Sequence, residues 1–316
     1  MSERRERRFR FGLQVLRAGS ARELRATARK AEDLGFSTIF FPDHFVDHPL
    51  APVPAMAAAA EATTTLRVGT CVLGNDYKHP VVLATEAATV DLLSDGRLEL
   101  GLGAGWMTAD YERGGFPLDP PRVRIERLAE ALAVLKGLWA DGPFTFEGRH
   151  YRIDGLDGEP KPVQRPHPPI IVGGGGRRVL SLAAREADIV GINANLRSGK
   201  ADDPTTAPSM NLDATDQKLA WVREAAGDRF DHLEIQVLAG FVHFTDDSRS
   251  IAEAMAPFFE STPEQVFDSP VALVGTAEEM VETLLRRRER WQMSYHVLPA
   301  ETIDQTAPIV AKLAGT

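Results

Sequence analysis

Apolar stretches of β character recur at a nearly constant interval in the first third of the chain. They begin at Phe9, Ser37, Leu66 and Arg97, so that successive starts are 28, 29 and 31 residues apart. An interval of about 30 residues accommodates a strand, a helix and two connections, and it is typical of parallel α/β folds. The units share no sequence motif, so the period is structural and does not mark a sequence repeat.

Helix-start and helix-end signals lie between these stretches. Ser20 and Glu23 have the spacing of a capping box, and Gly35 follows as the expected end of that helix. Pro80 suits the first turn of another helix, which we expect to end near residue 93. Strand and helix patterns therefore alternate along this part of the chain.

The second half of the chain continues the pattern less evenly. Further strands are expected at 170–172, at 188–192, within 233–244 and at 294–298. Together with the first four they make eight, which predicts an α/β fold of the (β/α)8 TIM-barrel type, with residues 1–316 forming one domain. The remaining length is assigned to insertions after strands four and six, at about 106–121, 140–168 and 195–211.

Two of these insertions have a recognisable character. Residues 144–151 are expected to form a small hairpin that turns at Glu147 and Gly148. Residues 195–211 are polar and rich in Pro, Ser, Thr and Asp. A segment of this length in a compact domain is either a mobile lid, here over the substrate side, or a disordered surface insertion, and the sequence leaves both alternatives open.

Charge and cysteine content limit the partners of the chain. The formal charge of −9 argues against duplex nucleic acid, which requires a basic face. No apolar stretch reaches the roughly 20 residues of a membrane span, and residues 1–8 lack the apolar part of a signal peptide and are interpreted as a solvated tail. Cys71 is the only cysteine, which excludes an intrachain disulfide and fits a cytoplasmic protein.

In a barrel of this kind, functional side chains lie where strands end and the following loops begin. Asp43 and His44 follow the second strand, and a histidine beside a carboxylate can move protons near neutral pH. The alternative for His44 is a structural, hydrogen-bonded histidine. The same rule predicts a small-molecule substrate pocket lined by Asn75, Tyr77, Asn193, Asn195 and His296.

Neither a metal site nor a reactive thiol is expected. Pro42 and Pro49 disfavour the helix that would pair His44 with His48 as metal ligands. No basic neighbour in the sequence would activate Cys71, which we therefore expect to be a small buried residue.

A glycine-rich turn joins the fifth strand to a helix. It consists of Gly173, Gly174, Gly175, Gly176, Arg177 and Arg178. Glycines allow a ligand to approach the backbone, and helix-start N–H groups bind anions, so this turn is a candidate phosphate cradle. The alternative is a tight turn with two solvated arginines, since the run matches neither the dinucleotide fingerprint nor a Walker A motif. A second run, with Gly103, Gly105 and Trp106, leaves the fourth strand.

Taken in order, several phrases make the chain resemble the luciferase-like monooxygenase superfamily of flavin-dependent barrels, and within it the branch that uses the deazaflavin coenzyme F-420. The resemblance runs from about residue 9 to 298. The phrases are AEDLGF at 31–36, PDH at 42–44, LRVGT at 66–70, HPVVLA at 79–84, SDGRLELGLGAGW at 94–106 and PPIIVGGGG at 168–176.

The resemblance implies a role for each of these regions. It implies a non-prolyl cis peptide at Cys71–Val72 that backs the cofactor ring, with Asp43 and His44 near the reactive ring. It also implies that the turn at 174–177 holds the cofactor phosphate, and that the loop from Gly103 to Trp106 walls the pocket. The resemblance also implies that the sugar-phosphate dehydrogenases of the family have a glutamate where this chain has Trp106. The tryptophan favours either a larger apolar or aromatic substrate or a wall on which a flat group stacks.

The function implied by the resemblance is hydride transfer between C5 of coenzyme F-420 and a small organic substrate, with His44 as proton donor or as the group that orients it. One alternative is an FMN-dependent monooxygenase supplied by a separate reductase. Another is a barrel that binds a flavin without catalysis. Family members are often dimers, so a homodimer is expected as well.

Overall fold

Parallel strands close into a barrel in the computed structural model, which describes residues 7–46 and 50–316. Pairing of Arg67–Thr70 with Leu98–Gly103 closes the ring. Around it the strands follow in the order Arg67–Thr70, Thr38–Phe41, Arg10–Gln14, Met293–Pro299, Glu234–Leu238, Ile189–Ile192, Ile170–Gly174, Leu98–Gly103 and Leu73–Gly74. The expected (β/α)8 barrel is confirmed. His48 and residues 1–6 of the N-terminal tail lie outside the described residues, so the interpretations placed on them stay predictions.

The strands and helices follow one another around the ring. The strands are β1 (Arg10–Gln14), β2 (Thr38–Phe41), β3 (Arg67–Thr70), β4 (Leu73–Gly74), β5 (Leu98–Gly103), β6 (Phe144–Glu147), β7 (Arg152–Leu156), β8 (Ile170–Gly174), β9 (Ile189–Ile192), β10 (Glu234–Leu238), β11 (Phe241–Phe244), β12 (Ala272–Gly275) and β13 (Met293–Pro299). The α-helices are α1 (Ala21–Asp33), α2 (Pro52–Ala62), α3 (Pro80–Leu93), α4 (Thr108–Gly114), α5 (Pro121–Trp139), α6 (Arg177–Glu186), α7 (Leu212–Ala226), α8 (Ser248–Phe259), α9 (Pro263–Val266), α10 (Ala277–Trp291) and α11 (Ile303–Leu313). None of the helices described is long and apolar enough to cross a membrane.

The start of α1 departs in one detail from the expected capping box. Ser20 accepts the N–H of Glu23, as predicted. The carboxylate of Glu23, however, accepts the N–H of Gly19 at 2.7 Å. Helix α1 ends at Asp33 with Leu34 as its C-cap, and Gly35 follows with φ of +83° as the predicted C′ residue. Helix α3 begins at Pro80, also as predicted.

Glu32 ties α1 to the strand that follows α2. Its carboxylate accepts the backbone N–H groups of Thr64, Thr65 and Leu66 at 2.8, 2.5 and 2.9 Å. Against the effect of burial, these three donors lower the pKa of Glu32 to about 2. The glutamate of the phrase at 31–36 therefore shapes a turn before β3.

The insertions contain structure of their own. Residues 106–121 include α4, and the expected hairpin is formed by the antiparallel pair β6 and β7. A further pair, β11 with β12, is parallel and lies outside the barrel sheet. Residues 241–244, which sequence reasoning placed within the seventh strand region, belong to this added pair because the barrel strand β10 ends at Leu238.

A buried ionic network occupies the amino-terminal end of the barrel. Glu99 is almost fully buried and receives Arg10, Arg67 at 2.8 Å and the hydroxyl of Tyr295 at 2.7 Å. Burial would raise the pKa of Glu99, but Arg10 and Arg67 hold it below the usual range. A buried carboxylate is tolerated when it is paired and hydrogen-bonded in this way, so this end of the barrel is closed by matched charges.

Glycines on neighbouring strands leave room for the ring of Phe40 and for the carbonyl oxygen of Thr70. A methyl group on Gly12 or Gly69 would come within 2.7 or 2.6 Å of the Phe40 ring, which fills the centre of the barrel. A methyl group on Gly101 would overlap the carbonyl oxygen of Thr70. At this level, strands β3 and β5 therefore approach more closely than any side chain on Gly101 would allow.

The substitution Gly101→Ala tests this close approach. It is expected to lower the free energy of unfolding by about 3 kcal/mol, because the added methyl meets backbone rather than a movable side chain. Gly240→Ala is the matched control, since nothing lies within 4 Å of its added carbon, and it is expected to change stability by less than about 0.5 kcal/mol. Urea denaturation measures both, and equal stability of the two variants would contradict the close approach.

Candidate active site at the barrel mouth

The carboxyl ends of neighbouring barrel strands bring several of the predicted site residues to one end of the fold. Asp43 and His44 follow β2, Cys71 and Val72 lie between β3 and β4, and the loop with Trp106 follows β5. The glycine turn follows β8, the strand that pairs with β5 in the barrel. These segments form the candidate active site.

A non-prolyl cis peptide bond joins Cys71 to Val72, as the resemblance implied. The Val72 side chain packs where a methyl on Gly103 would come within 2.8 Å, and it lies 3.5 Å from where one on Gly173 would stand. The Thr70 hydroxyl bridges the same strand pair, with 2.9 Å to the N–H and 2.8 Å to the carbonyl oxygen of Gly101. Cys71 and Val72 interrupt the strand between β3 and β4 and are here called the bulge. Through Val72 the bulge thus packs against Gly101 and Gly103 of β5 and Gly173 of β8, here called the glycine floor.

His44 is held by a carboxylate that sequence reasoning missed. Its Nδ1 lies 2.6 Å from Oδ2 of Asp110, a fully buried residue of α4. The other oxygen of Asp110 accepts the N–H groups of Phe45 at 2.9 Å and Val46 at 3.0 Å. Asp110 therefore fixes both the imidazole and the backbone that carries it.

Asp43 forms its hydrogen bond with the backbone, whereas its neighbour His44 pairs with Asp110. Its Oδ2 accepts the N–H of Gly74 at 3.1 Å, on the strand that resumes after the bulge. Burial raises the pKa of Asp43, while the Gly74 N–H and the nearby Lys78 oppose that rise. The two adjacent residues thus have separate tasks: Asp43 supports the backbone and His44 presents a ring.

Trp106 stands edge-on to His44, with ring centroids 5.5 Å apart and an interplanar angle of 78°. Arg124 fixes the loop that bears Trp106 by donating to the carbonyls of Ala104 and Gly105. Gly105 has φ of +76°, and a methyl on it would overlap the hydroxyl of Tyr111. Glycine is therefore required here by the loop geometry itself.

Tyr77 belongs to an aromatic cluster beside His44. Its ring centroid lies 4.7 Å from that of Phe45, 5.1 Å from Phe116 and 5.5 Å from Tyr111. Phe45 is half exposed, so the cluster presents apolar surface next to the imidazole. Asn75 is buried, and its amide nitrogen lies 3.5 Å from the hydroxyl of Tyr151.

The glycine turn after β8 has features of both interpretations given above. Methyl groups on Gly174 and Gly175 would overlap Val179 and the carbonyl of Ala194, so these two glycines are required by packing. Gly176, the residue before α6, faces open space, and no side chain caps that helix. The uncapped helix start can receive an anion, with Arg177 beside it.

Arg177 is exposed and forms an ion pair at 2.9 Å with Glu224 of α7. Asn193 and Asn195 are also exposed at the end of β9. The Asn193 side chain accepts the N–H of Ala194 at 2.7 Å, and the N–H of Asn195 donates to Ser209 at 2.8 Å. These residues line the barrel end at which β8 and β9 finish.

His296 does not join the other predicted pocket residues, which corrects the sequence expectation. Side chains alternate along β13, and Tyr295 and Val297 take the inward positions. His296 therefore faces the helix layer, fully buried beside Phe9 and Phe11, whose centroids lie 6.1 and 6.2 Å from its own. Burial lowers the pKa of His296 to about 3, so the ring is neutral.

The chemistry open to the remaining candidates is limited. Cys71 is half-buried rather than fully buried, which corrects the sequence expectation, and the desolvation of its thiol raises the pKa to about 12, so the thiol stays protonated at neutral pH. Within residues 7–46 and 50–316, no three His, Cys, Asp or Glu side chains are grouped as metal ligands would be. His44, held by Asp110, is the group at the site best placed to move a proton.

Comparisons with known proteins agree with the geometry. A family model described as luciferase-like monooxygenase matches residues 8–313. The FMNH(2)-dependent dimethylsulfone monooxygenase of Pseudomonas putida is 31% identical over 180 residues, which is 55% of this chain and 49% of the relative. The match to that relative thus spans about half of its length.

Two further proteins match over most of the chain. The F420-dependent glucose-6-phosphate dehydrogenase of Nakamurella multipartita is 30% identical over 284 residues, which is 86% of this chain and 79% of that protein. Among solved structures, an F420-dependent secondary alcohol dehydrogenase in complex with an F420-acetone adduct has a TM-score of 0.75. It is 21% identical, and the match covers 97% of this chain and 99% of that one, which shows a shared fold.

The raised pKa of Cys71 can be tested by thiol labelling, because Cys71 is the only cysteine in the sequence and all labelling reports on it. At pH 8, thiol reagents are expected to label the native protein about a thousandfold more slowly than an unperturbed cysteine, because so little thiolate is present. The time course of labelling with a chromogenic disulfide measures the rate, and the same chain in denaturant supplies the control. Comparable rates in the two states would contradict a raised pKa.

Proposed function

Because the chain belongs to the luciferase-like monooxygenase family, we propose that it is an F-420-dependent oxidoreductase that transfers hydride between C5 of the deazaflavin and a small organic substrate. The observation that carries the proposal is the Cys71–Val72 bulge on its glycine floor, next to the His44–Asp110 pair. The relative that matches 86% of this chain is named as F420-dependent, which supports the choice of cofactor.

The residues at the barrel mouth fit a flat cofactor with an anionic tail. Val72, projected by the bulge, would back the ring, and the bare backbone of Gly103 and Gly173 makes room for the Val72 side chain. The uncapped start of α6 at Gly176, with Arg177, would hold a phosphate group. When bound, the deazaflavin supplies a carbon that donates or accepts hydride.

His44 is assigned the proton that accompanies hydride transfer. Asp110 holds Nδ1, so Nε2 is the nitrogen that would give a proton to the substrate or take one from it. Asp110 acts as a positioning residue because it fixes the orientation of the His44 ring. Asp43 is proposed to support the bulge through Gly74 rather than to take part in proton transfer.

The walls of the site favour an apolar or aromatic substrate. Trp106, for which the resemblance implies the position of the glutamate of the sugar-phosphate dehydrogenases, stands edge-on to His44, and the half-exposed ring of Phe45 continues the apolar surface. Tyr77 and Phe116 pack behind Phe45 and hold it in place. Planar acceptors such as enones or imines suit such a wall, because aromatic faces stack on flat groups.

A second candidate is an FMN-dependent monooxygenase supplied by a separate reductase. The relative from Pseudomonas putida, which is named as an FMNH(2)-dependent monooxygenase and matches 55% of this chain, supports this candidate. The same bulge and helix start would accept FMN. The two candidates differ in whether the reduced cofactor gives hydride to a substrate or reacts with oxygen.

Titration with each cofactor tests the proposal directly. Coenzyme F-420 is expected to bind at micromolar concentration with quenching of its fluorescence, and FMN about tenfold more weakly, a difference of about 1.4 kcal/mol. A deazaflavin without the phosphate tail, used as the control ligand, should lose affinity if the start of α6 holds the phosphate. Binding of neither cofactor would refute the proposal, tighter binding of FMN would favour the monooxygenase, and binding of F-420 without turnover on any acceptor would indicate a non-catalytic barrel.

Substitutions at His44 and Asp110 test the proton-transfer assignment. His44→Gln is expected to lower the single-turnover rate of hydride transfer about a hundredfold, because it removes the proton donor. Asp110→Asn is expected to lower the rate about tenfold, because the proton donor remains but its ring is less well oriented. Affinity for the cofactor should change less than twofold. Asp304→Asn, a surface change on α11, is the control. An unchanged rate in Asp110→Asn would remove the positioning role.

A further inference from the structure

Residues 195–211, here called the lid segment, lie against the loop that carries Trp106. The N–H of Thr108 donates to the carbonyl of Gly199 at 3.1 Å. Gly199 is buried with φ of +78°, and a methyl on it would overlap the Thr108 hydroxyl and stand 3.3 Å from the carbonyl oxygen of Trp106. The position of the lid segment and that of Trp106 are therefore coupled.

A buried lysine lies beneath the end of this segment. Lys218, two turns into α7, is 3% exposed. Its ammonium donates to the carbonyl of Asn193 at 2.8 Å and to the carbonyl of Ser209, and it lies 3.0 Å from Sδ of Met210. An ammonium has three N–H donors and no acceptor, so these three partners use all of its hydrogen-bonding capacity.

The two ends of the lid segment meet at this lysine. Asn193 is the residue after β9, and Ser209 and Met210 come just before α7 begins. The Ser209 hydroxyl adds a link by accepting the N–H of Asn195 at 2.8 Å, and Ser269 donates to the carbonyl of Met210 at 2.7 Å. The ammonium thus bridges the carbonyls on either side of a long surface loop.

A lysine is a costly choice for this position if only stability mattered. Burial lowers the pKa of Lys218 to about 7, which reflects the free energy needed to keep its charge away from water. An apolar side chain such as Met would avoid that cost. What Met would lack is directional bonds to two separate backbone carbonyls, and those bonds fix the lid segment relative to the barrel strand.

We propose that Lys218 is a positioning residue that anchors the lid segment over the substrate side of the barrel mouth. The anchor holds Ser209 to the end of β9, and the contact at Gly199 passes that constraint to Trp106. Anchoring of the segment is independent of the chemistry at the site. Its effect on the substrate, by contrast, rests on the proposed function, since Trp106 is assigned there to the substrate wall.

Hydrogen exchange of the unliganded protein tests the anchor without reference to catalysis. Lys218→Met is expected to speed amide exchange in residues 195–211 about tenfold and to leave the barrel strands unchanged, because the carbonyl bridge is lost. Lys218→Arg, which keeps charged donors, should restore most of the protection. Lys312→Met on α11, an exposed lysine, is the matched control and should leave the segment unchanged.

A second variant keeps the test valid if Lys218→Met fails to fold. Lys218→Gln keeps N–H donors on a shorter, uncharged side chain that does not reach both carbonyls, and it should speed exchange of the segment about threefold. Unchanged exchange in Lys218→Met would overturn the anchor. If Lys218→Met does not fold, unchanged exchange in Lys218→Gln overturns it.

Kinetics then test the consequence for the site. With the cofactor saturating, Lys218→Met is expected to raise KM for the acceptor about tenfold while kcat falls less than twofold, and Lys218→Arg should reverse the change. Unchanged KM together with faster exchange would refute the coupling to Trp106. Absence of cofactor binding in the wild-type chain refutes the proposed function instead, and the exchange result still decides whether Lys218 anchors the segment.

Discussion

The close approach of the Thr70 carbonyl to Gly101 sets the geometry on which the rest of the site depends. A side chain on Gly101 would occupy the place of that oxygen, and a side chain on Gly103 would occupy the place of Val72. Only bare backbone on β5 lets the chain after β3 turn inward at Cys71–Val72. From there the strand resumes at Leu73, which places Gly74 against Asp43 and brings Tyr77 into the aromatic cluster.

Two carboxylates near His44, the buried Asp110 and the half-buried Asp43, have different roles because each accepts hydrogen bonds from different donors. Asp43 takes a backbone N–H from the strand after the bulge, whereas Asp110 takes the imidazole and two backbone N–H groups. A buried carboxylate without such donors would be costly, so the backbone around it must take up a matching shape. The position of the histidine is therefore tied to the bulge on one side and to α4 on the other.

Local chemistry explains which parts of the fold were predictable. The strand interval and the helix ends at Gly35 and Pro80 follow from rules that act within a few residues, and the structure agrees with them. The expectation for His296 was wrong because alternate residues of β13 face opposite sides of the sheet. A short run such as 294–298 does not show which of its residues face the barrel interior. Asp110 and Lys218 were missed because each acts on a partner from another element, 66 residues away for Asp110 and His44.

Helix α7 connects the two regions where ligands are proposed to bind. Lys218 on this helix holds the lid segment, and Glu224, less than two turns further on, pairs with Arg177 at the start of α6. The first contact is buried and uses every donor of the lysine, so moving it would leave polar groups unpaired. The second is exposed, and such pairs contribute only about 0–1 kcal/mol, so Arg177 can leave Glu224 for an anion at little cost. The same helix thus holds the lid segment on the proposed substrate side, while Arg177 on the proposed phosphate side can exchange partners at little cost.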